Sequence, residues 1–223
     1  MFRQVIRCRD AAGITLAVHS TALLRKNIHM RWFFSALVRT FVMGTVLCAV
    51  GNTGWAAGEY AYDPVHSSVS FKARHLDISW IHGRFNQVEG KFSLDRENPA
   101  KSTFALTIHA DSVDTANKAR DEHLRQPDYF DTKQFPTIEF KSTNVKAING
   151  GYEVAGDFTM HGKTQKVTLV LKGGKEIEFR GKKIVGFSTE LSLKRSDYGF
   201  DKSGIGPIGD EALIHIDCEG VRE

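Results

Sequence analysis

Apolar and polar residues alternate along most of the chain from Tyr60 onward. The clearest alternating runs are SVSFKA, TFALTIHA, YEVAGDF, KVTLVLK, GFSTELSLK and ALIHID. A period of two is the pattern of a β-strand with one buried face, and its repetition indicates antiparallel pairing. Turn sequences such as Asn149-Gly150-Gly151 and Gly173-Gly174 separate the runs. About eight such strands predict an all-β barrel or sandwich, in one domain over residues 58–223.

The alternation stops between Asp114 and Gln126, where charged residues are dense and several aromatic residues follow. Ser112, Asp114 and Asn117 can each cap the start of a helix, and Pro127 ends the segment. We therefore predict a short helix that joins two strands. Its apolar face is narrow, so we expect it to cover an opening of the barrel and not to form part of the core.

Residues 1–57 have the pattern of an N-terminal extension followed by a secretory signal peptide. From Met30 the chain reads MRWFFSALVRTFVMGTVLCAVGNTGWA, with basic residues, then an uncharged run, then small residues for cleavage near Ala56 or Ala57. The uncharged run is shorter than the ~20 apolar residues of a transmembrane helix. We expect a periplasmic protein without a stable membrane anchor. Either the leader is unusually long or translation starts at Met30, and the complete signal after Met30 favours the second.

The leader dominates the overall charge of +4. Residues 1–56 hold seven of the 30 Lys and Arg and one of the 26 Asp and Glu, which leaves 23 basic and 25 acidic residues, a net charge of −2. A domain without a basic excess has little to attract a phosphate backbone, so we expect no nucleic-acid partner. Of three cysteines, Cys218 alone follows the leader, so no internal disulfide is predicted for the domain.

Four stretches of the chain carry a family resemblance: HSSVSFKARHLDISWIHGRFNQVEGKF from His66, DSVDTANKARDEHLRQPDYFDTKQFPTIEFKS from Asp111, GDFTMHGKTQKVTL from Gly156 and KRSDYGF from Lys194. With them, from about Tyr60 to its C-terminus, the chain resembles the YceI-like family of exported, lipocalin-like proteins that bind polyisoprenoid lipids. The resemblance implies an eight-stranded antiparallel barrel with a short helix near its mouth. It also implies an apolar tunnel for an isoprenoid quinone or a polyprenyl phosphate, with no required cofactor and no chemistry on the lipid.

Periodicity alone does not decide between a filled core and a channel, and the resemblance favours the channel. The predicted ligand contacts are inward-facing apolar residues and aromatic residues near the helix: Val69, Phe71, Ala73, Phe104, Leu106, Ile108, Phe130, Phe140, Phe158, Leu169, Phe187, Leu191 and Ile214.

Arg120, Asp121 and His123 are candidates for the barrel rim or for contact with a lipid head group. Asp121 and His123 lie two residues apart, which does not place them on one helix face, and no HExxH or CxxC motif is present. We therefore expect neither a metal site nor a catalytic residue. Two alternatives stay open: an exported enzyme that acts on a lipid or quinone through these three residues, and a filled barrel that binds a partner as a stress protein. A homodimer is also left open.

Overall fold

The computed structural model describes residues 57–200 and 207–223. The expected extension and signal peptide lie outside the described residues, apart from Ala57. Among the residues described, no helix combines the length and apolar character needed to cross a membrane.

The described residues are mostly strands, and every strand pairing is antiparallel. One α-helix, α1, spans Lys118–Leu124, and short 3-10 helices span Pro99–Lys101, Ala110–Ser112 and Arg195–Tyr198. The strands are β1 (Gly58–Tyr62), β2 (Ser68–His75), β3 (Ser79–Phe85), β4 (Val88–Leu94), β5 (Thr103–His109), β6 (Val113–Asp114), β7 (Thr137–Ile148), β8 (Gly151–Met160), β9 (Lys163–Phe179), β10 (Lys182–Lys194) and β11 (Ile208–Arg222).

Eight of these strands close into a ring in the order β1-β4-β5-β7-β8-β9-β10-β11, because β11 pairs back onto β1. The closing register aligns Tyr60 with Arg222. β2 pairs with β11 farther along the same edge, where Phe71 lies opposite Ile214, and β3 and β6 continue the wall from β2. The prediction of an eight-stranded antiparallel barrel with a short helix is confirmed.

The alternation of apolar and polar residues in the sequence corresponds to an alternation of buried and less buried side chains along the strands. Along β8, Tyr152, Val154, Gly156 and Phe158 are buried, and the residues between them are half-buried. Irregularities interrupt this order in the β7–β8 ladder near Thr143 and in the β9–β10 ladder near Gly186. At such a bulge one strand holds an extra residue. The apolar side chains beyond the bulge therefore still point into the barrel.

One end of the barrel, here called the aromatic end, is filled by rings. The ring centroids of Phe92, Phe104 and Phe187 lie 5.5 to 5.7 Å apart, and Tyr60 stacks on Phe92 at 5.1 Å. A Cβ at Gly220 would lie 2.2 Å from a carbon of the Phe92 ring. β11 therefore approaches this cluster so closely that only a residue without a side chain fits there.

Candidate ligand-binding cavity

The opposite end of the barrel holds a cavity of about 590 Å³, here called the main cavity. Pockets for small molecules typically measure about 300–1,000 Å³ and are lined mainly by apolar groups. Most of the lining here is aliphatic or aromatic. It includes seven of the predicted ligand contacts: Val69, Phe71, Ala73, Ile108, Phe130, Phe158 and Ile214.

Five other predicted contacts surround a much smaller cavity of about 60 Å³ at the aromatic end: Phe104, Leu106, Phe140, Leu169 and Phe187. Leu191 packs half-buried against the core and lines neither of these cavities. Within the described chain, the barrel interior is therefore largely filled at one end and open at the other. Contact of any of these residues with a ligand stays a prediction.

Helix α1 covers the main cavity, and its attachment follows from the local sequence. Asn117 caps the helix by accepting a hydrogen bond from the Arg120 N–H at 3.1 Å. Arg125, just after the last turn, donates to the carbonyl of Asp111 at 2.7 Å and to that of Val113 at 3.0 Å. The two Arg125 bonds tie the C-terminal end of the helix to the segment around β6, because a guanidinium can donate to two backbone acceptors at once.

Arg120 and Asp121, two of the rim candidates, meet at Thr115. The Arg120 Nε donates to the Thr115 hydroxyl at 2.7 Å, and its Nη2 donates to the Thr115 carbonyl at 2.8 Å. Asp121 is buried and accepts from the Thr115 N–H at 2.8 Å and from the Thr115 hydroxyl. Arg120 lines the main cavity, whereas Asp121 lies behind it and holds the helix in place.

His123, the third candidate, lines the main cavity but is 58% exposed, so the cavity reaches the surface here. Its Nε2 lies 2.7 Å from an Asp128 carboxylate oxygen, and its ring meets Tyr129 edge-on at 4.8 Å. Its carboxylate partner is Asp128, and the Asp121 carboxylate is already bonded to Thr115. Asp121 and His123, two residues of the enzyme alternative, therefore each have a different polar partner.

Sequence reasoning missed Arg195 as a cavity residue. It follows β10, lines the main cavity and is only 9% exposed. Its Nη1 donates to the Gly209 carbonyl at 3.4 Å, and its guanidinium lies 5.7 Å from the centre of the Phe200 ring. Burial lowers the pKa of Arg195, and the nearby Tyr129 and Asp210 oppose that effect. The KRSDYGF motif contains this residue, but no local pattern in the sequence marks it as buried.

Other lining residues that the sequence did not single out complete the apolar wall. They include Phe85, Ile138, Met160, Leu193 and Phe200. Leu193 stands at an inward position of the predicted strand GFSTELSLK, so the period of two was the signal that could have found it.

A second cluster of polar side chains lies near the start of β2. Potential ligand atoms of Asp63, His66 and Glu219 lie within 4.8 Å of one another. Asp63 accepts from the Val65 N–H at 2.8 Å and lies 2.9 Å from His66 Nδ1. The hydrogen bond with His66 lowers the pKa of Asp63, with a further contribution from the Val65 N–H. These bonds form a capped turn that accounts for the positions of Asp63 and His66.

A closed eight-stranded antiparallel barrel with an internal apolar cavity defines a lipocalin-like protein. The chain belongs to the YceI-like family, since the YceI-like domain model matches residues 60–220. A UPF0312 protein of Pseudomonas aeruginosa is 34% identical over 185 residues, which cover 81% of this chain and 95% of that protein. Protein YceI of Escherichia coli is 36% identical over 171 residues, or 75% and 88% of the two chains. The resemblance seen in the sequence is confirmed.

Solved structures share the barrel. The YCEI protein of Campylobacter jejuni is 29% identical, with a TM-score of 0.60 over 67% of this chain and 89% of that one. BcnA of Burkholderia cenocepacia is 23% identical, with a TM-score of 0.64 over 71% and 98%. A Saccharophagus degradans protein, described as a polyisoprenoid binding domain implicated in plant cell wall breakdown, is 16% identical, with a TM-score of 0.55 over 74% and 98%. At these identities the last two show the fold alone.

Proposed function

We propose that the protein is a periplasmic carrier that binds a polyisoprenoid lipid, of the isoprenoid quinone or polyprenyl phosphate type, in the main cavity. The observation that carries the proposal is the cavity of about 590 Å³ with its apolar wall. Each CH₂ group that leaves water for such a wall contributes about 0.8 kcal/mol. The Saccharophagus degradans domain described as polyisoprenoid binding has the same fold, which supports this ligand class.

Binding without chemistry fits the polar groups around the cavity. The Thr115 N–H donates a hydrogen bond to an Asp121 carboxylate oxygen, and an Asp128 carboxylate oxygen lies within hydrogen-bond distance of the His123 ring. The cavity-lining Thr115 hydroxyl donates to the buried Asp121 carboxylate and accepts from Arg120 Nε, so these groups hold helix α1 to the barrel. The protein would therefore take up and release the lipid unchanged.

The test is native mass spectrometry of protein purified from the periplasmic fraction, followed by solvent extraction and mass analysis of any bound lipid. The variant Ala212→Phe narrows the main cavity, because Ala212 lines it. Thr168→Phe adds the same ring at an exposed position of β9 and serves as the control.

We expect one isoprenoid lipid per wild-type chain and per Thr168→Phe chain, and little or none in the Ala212→Phe protein. A wild-type protein that is empty and also takes up no added isoprenoid quinone would refute the carrier function. The mass of the intact protein tests export, since cleavage near Ala56 or Ala57 removes the leader. A full-length chain, or one found in the cytoplasmic fraction, would contradict the periplasmic assignment.

A further inference from the structure

Arg195 places a positive charge against the wall of the main cavity. Its side chain is nine-tenths buried, and the hydrogen bond from its Nη1 to the Gly209 carbonyl is long, at 3.4 Å. Among the described residues no carboxylate oxygen lies within 4.0 Å of its nitrogens. Asp210 is the acidic residue whose charge reaches it, and Ser196 holds that carboxylate through two hydrogen bonds of 2.8 Å.

A buried guanidinium without a close counter-ion is costly, because the ion loses water and gains little in exchange. Arginine does not escape this cost by releasing its proton, since it stays charged in proteins. The Phe200 ring near Arg195 offers a cation–π contact, which offsets only part of the lost hydration. An anion bound in the cavity would supply the missing counter-charge.

The charged residues in the described lining of the main cavity are all basic. Arg120 and Arg195 are its two formally charged residues, and no Asp or Glu is among them. In a cavity with apolar walls, charges of one sign reinforce each other and favour a ligand of the opposite sign.

We infer that the lipid bound in the main cavity carries an anionic head group, a phosphate or a carboxylate, that pairs with Arg195. The planar guanidinium matches both groups, because it can donate two parallel hydrogen bonds to their oxygens. The apolar chain then lies against the aliphatic and aromatic wall. The inference rests on the proposed function, since it concerns the head group of the same ligand.

The experiment measures the affinity of the delipidated protein for three probes by isothermal titration calorimetry: geranylgeranyl phosphate, geranylgeranoic acid and geranylgeraniol. The chains are alike, so the ratio of affinities isolates the head group. The wild-type protein should bind both anionic probes about ten- to hundredfold more tightly than the alcohol, as expected for a charge-assisted hydrogen bond. Binding of the phosphate more tightly than the acid would assign a polyprenyl phosphate, and the reverse order a lipid acid.

Arg195→Met removes the charge at nearly constant volume and should abolish this preference while affinity for the alcohol stays within about twofold. Lys194→Met removes a charge from the adjacent exposed position and should keep the preference. Circular dichroism checks that each variant is folded. If Arg195→Met does not fold, Arg195→Lys keeps the charge but not the paired donors, and the preference should fall without disappearing.

Different experimental outcomes would contradict the head-group inference and the carrier function. Equal binding of the alcohol and the anions by the wild-type protein, or a preference that survives in Arg195→Met, would overturn the inference and leave the carrier function standing. Binding of none of the three probes, together with no uptake of isoprenoid quinone, would overturn both.

Discussion

At the aromatic end, charged and polar groups from distant parts of the chain lie around Glu176. Its carboxylate accepts a hydrogen bond from the Tyr60 hydroxyl. It also lies 3.5 Å from Lys183 Nζ, 3.9 Å from Arg96 Nη1 and 3.8 Å from Arg222 Nη1. Burial alone would raise the pKa of Glu176, but the Tyr60 hydroxyl and the three cations outweigh it and hold that pKa below its ordinary value of 4.5.

Replacing Glu176 with Gln keeps an acceptor for the Tyr60 hydroxyl but removes the charge. Exchanging a charge-assisted hydrogen bond for a neutral one costs about 1–1.5 kcal/mol. The cations add roughly 0.5–1 kcal/mol, discounted for solvent screening because their side chains are 28% to 42% exposed. The free energy of unfolding should fall by about 2 kcal/mol, which lowers the Tm of a domain of this size by about 4–8 °C.

The difference between wild type and Glu176→Gln should depend on pH. The pKa of Glu176 is lower in the folded state, so the folded protein binds fewer protons than the unfolded chain. The stabilisation by Glu176 is therefore present above its ordinary pKa of 4.5 and is lost as the pH falls through the folded value. Urea unfolding followed by Trp fluorescence, at about pH 7 and about pH 3.5, measures both free energies.

Glu178→Gln is the control, since Glu178 lies two residues farther along β9 and is exposed. Its effect on the free energy of unfolding should stay within about 0.5 kcal/mol. The reasoning would be refuted if Glu176→Gln were as stable as wild type near pH 7. It would also be refuted if the difference in the free energy of unfolding between the two proteins were the same near pH 3.5 as near pH 7.

Three further predictions concern other groups in the barrel and its helix. Asp121→Ala leaves the buried N–H and hydroxyl of Thr115 without their acceptor, so a thermal melt should show a loss of about 2–4 kcal/mol. Burial raises the pKa of the Cys218 thiol to about 12, so iodoacetamide at about pH 8 should alkylate it only after unfolding, as mass analysis will show. Gly220→Ala places a Cβ 2.2 Å from a ring carbon and should lower the urea midpoint by an amount worth about 1–3 kcal/mol, whereas Gly186→Ala, with 3.7 Å of clearance, should not.

Each of these has a contrary outcome. A thermal melt of Asp121→Ala that matched exposed Glu122→Ala would show that the Thr115 bonds contribute nothing. Rapid alkylation of Cys218 in the folded protein would contradict the raised pKa of its thiol. Equal urea midpoints for Gly220→Ala and Gly186→Ala would mean that the rings beside β11 move aside freely.

The strands were predictable because their pattern is local. Along β8, side-chain direction follows from a period of two, and the sequence showed that period directly. Helix α1 was predictable for a similar reason, since Asn117 caps it and Pro127 follows its last turn. Pairing of β1 with β11 was expected only through the family resemblance, because no local pattern records which distant strands meet.

The division of the interior could not be predicted from alternation. Phe104 and Phe158 both stand at inward positions, yet Phe104 helps to fill the aromatic end and Phe158 lines the main cavity. Whether an inward side chain fills the interior or lines a cavity depends on the aromatic rings that approach it from strands across the barrel. Arg195 was missed for the same reason: a charged residue after a strand is usually exposed, whereas this one lies in the cavity wall beside the Phe200 ring.

The way β11 closes the barrel also bears on how fast the protein folds. β11 pairs with β10, which just precedes it in the chain, and with β1 and β2 at the start of the domain. Contacts between residues so far apart in sequence require a long loop to close before they return any stabilisation. We expect folding in milliseconds to seconds, with β1 joining β11 late and the main cavity unable to retain a ligand until that last pairing forms.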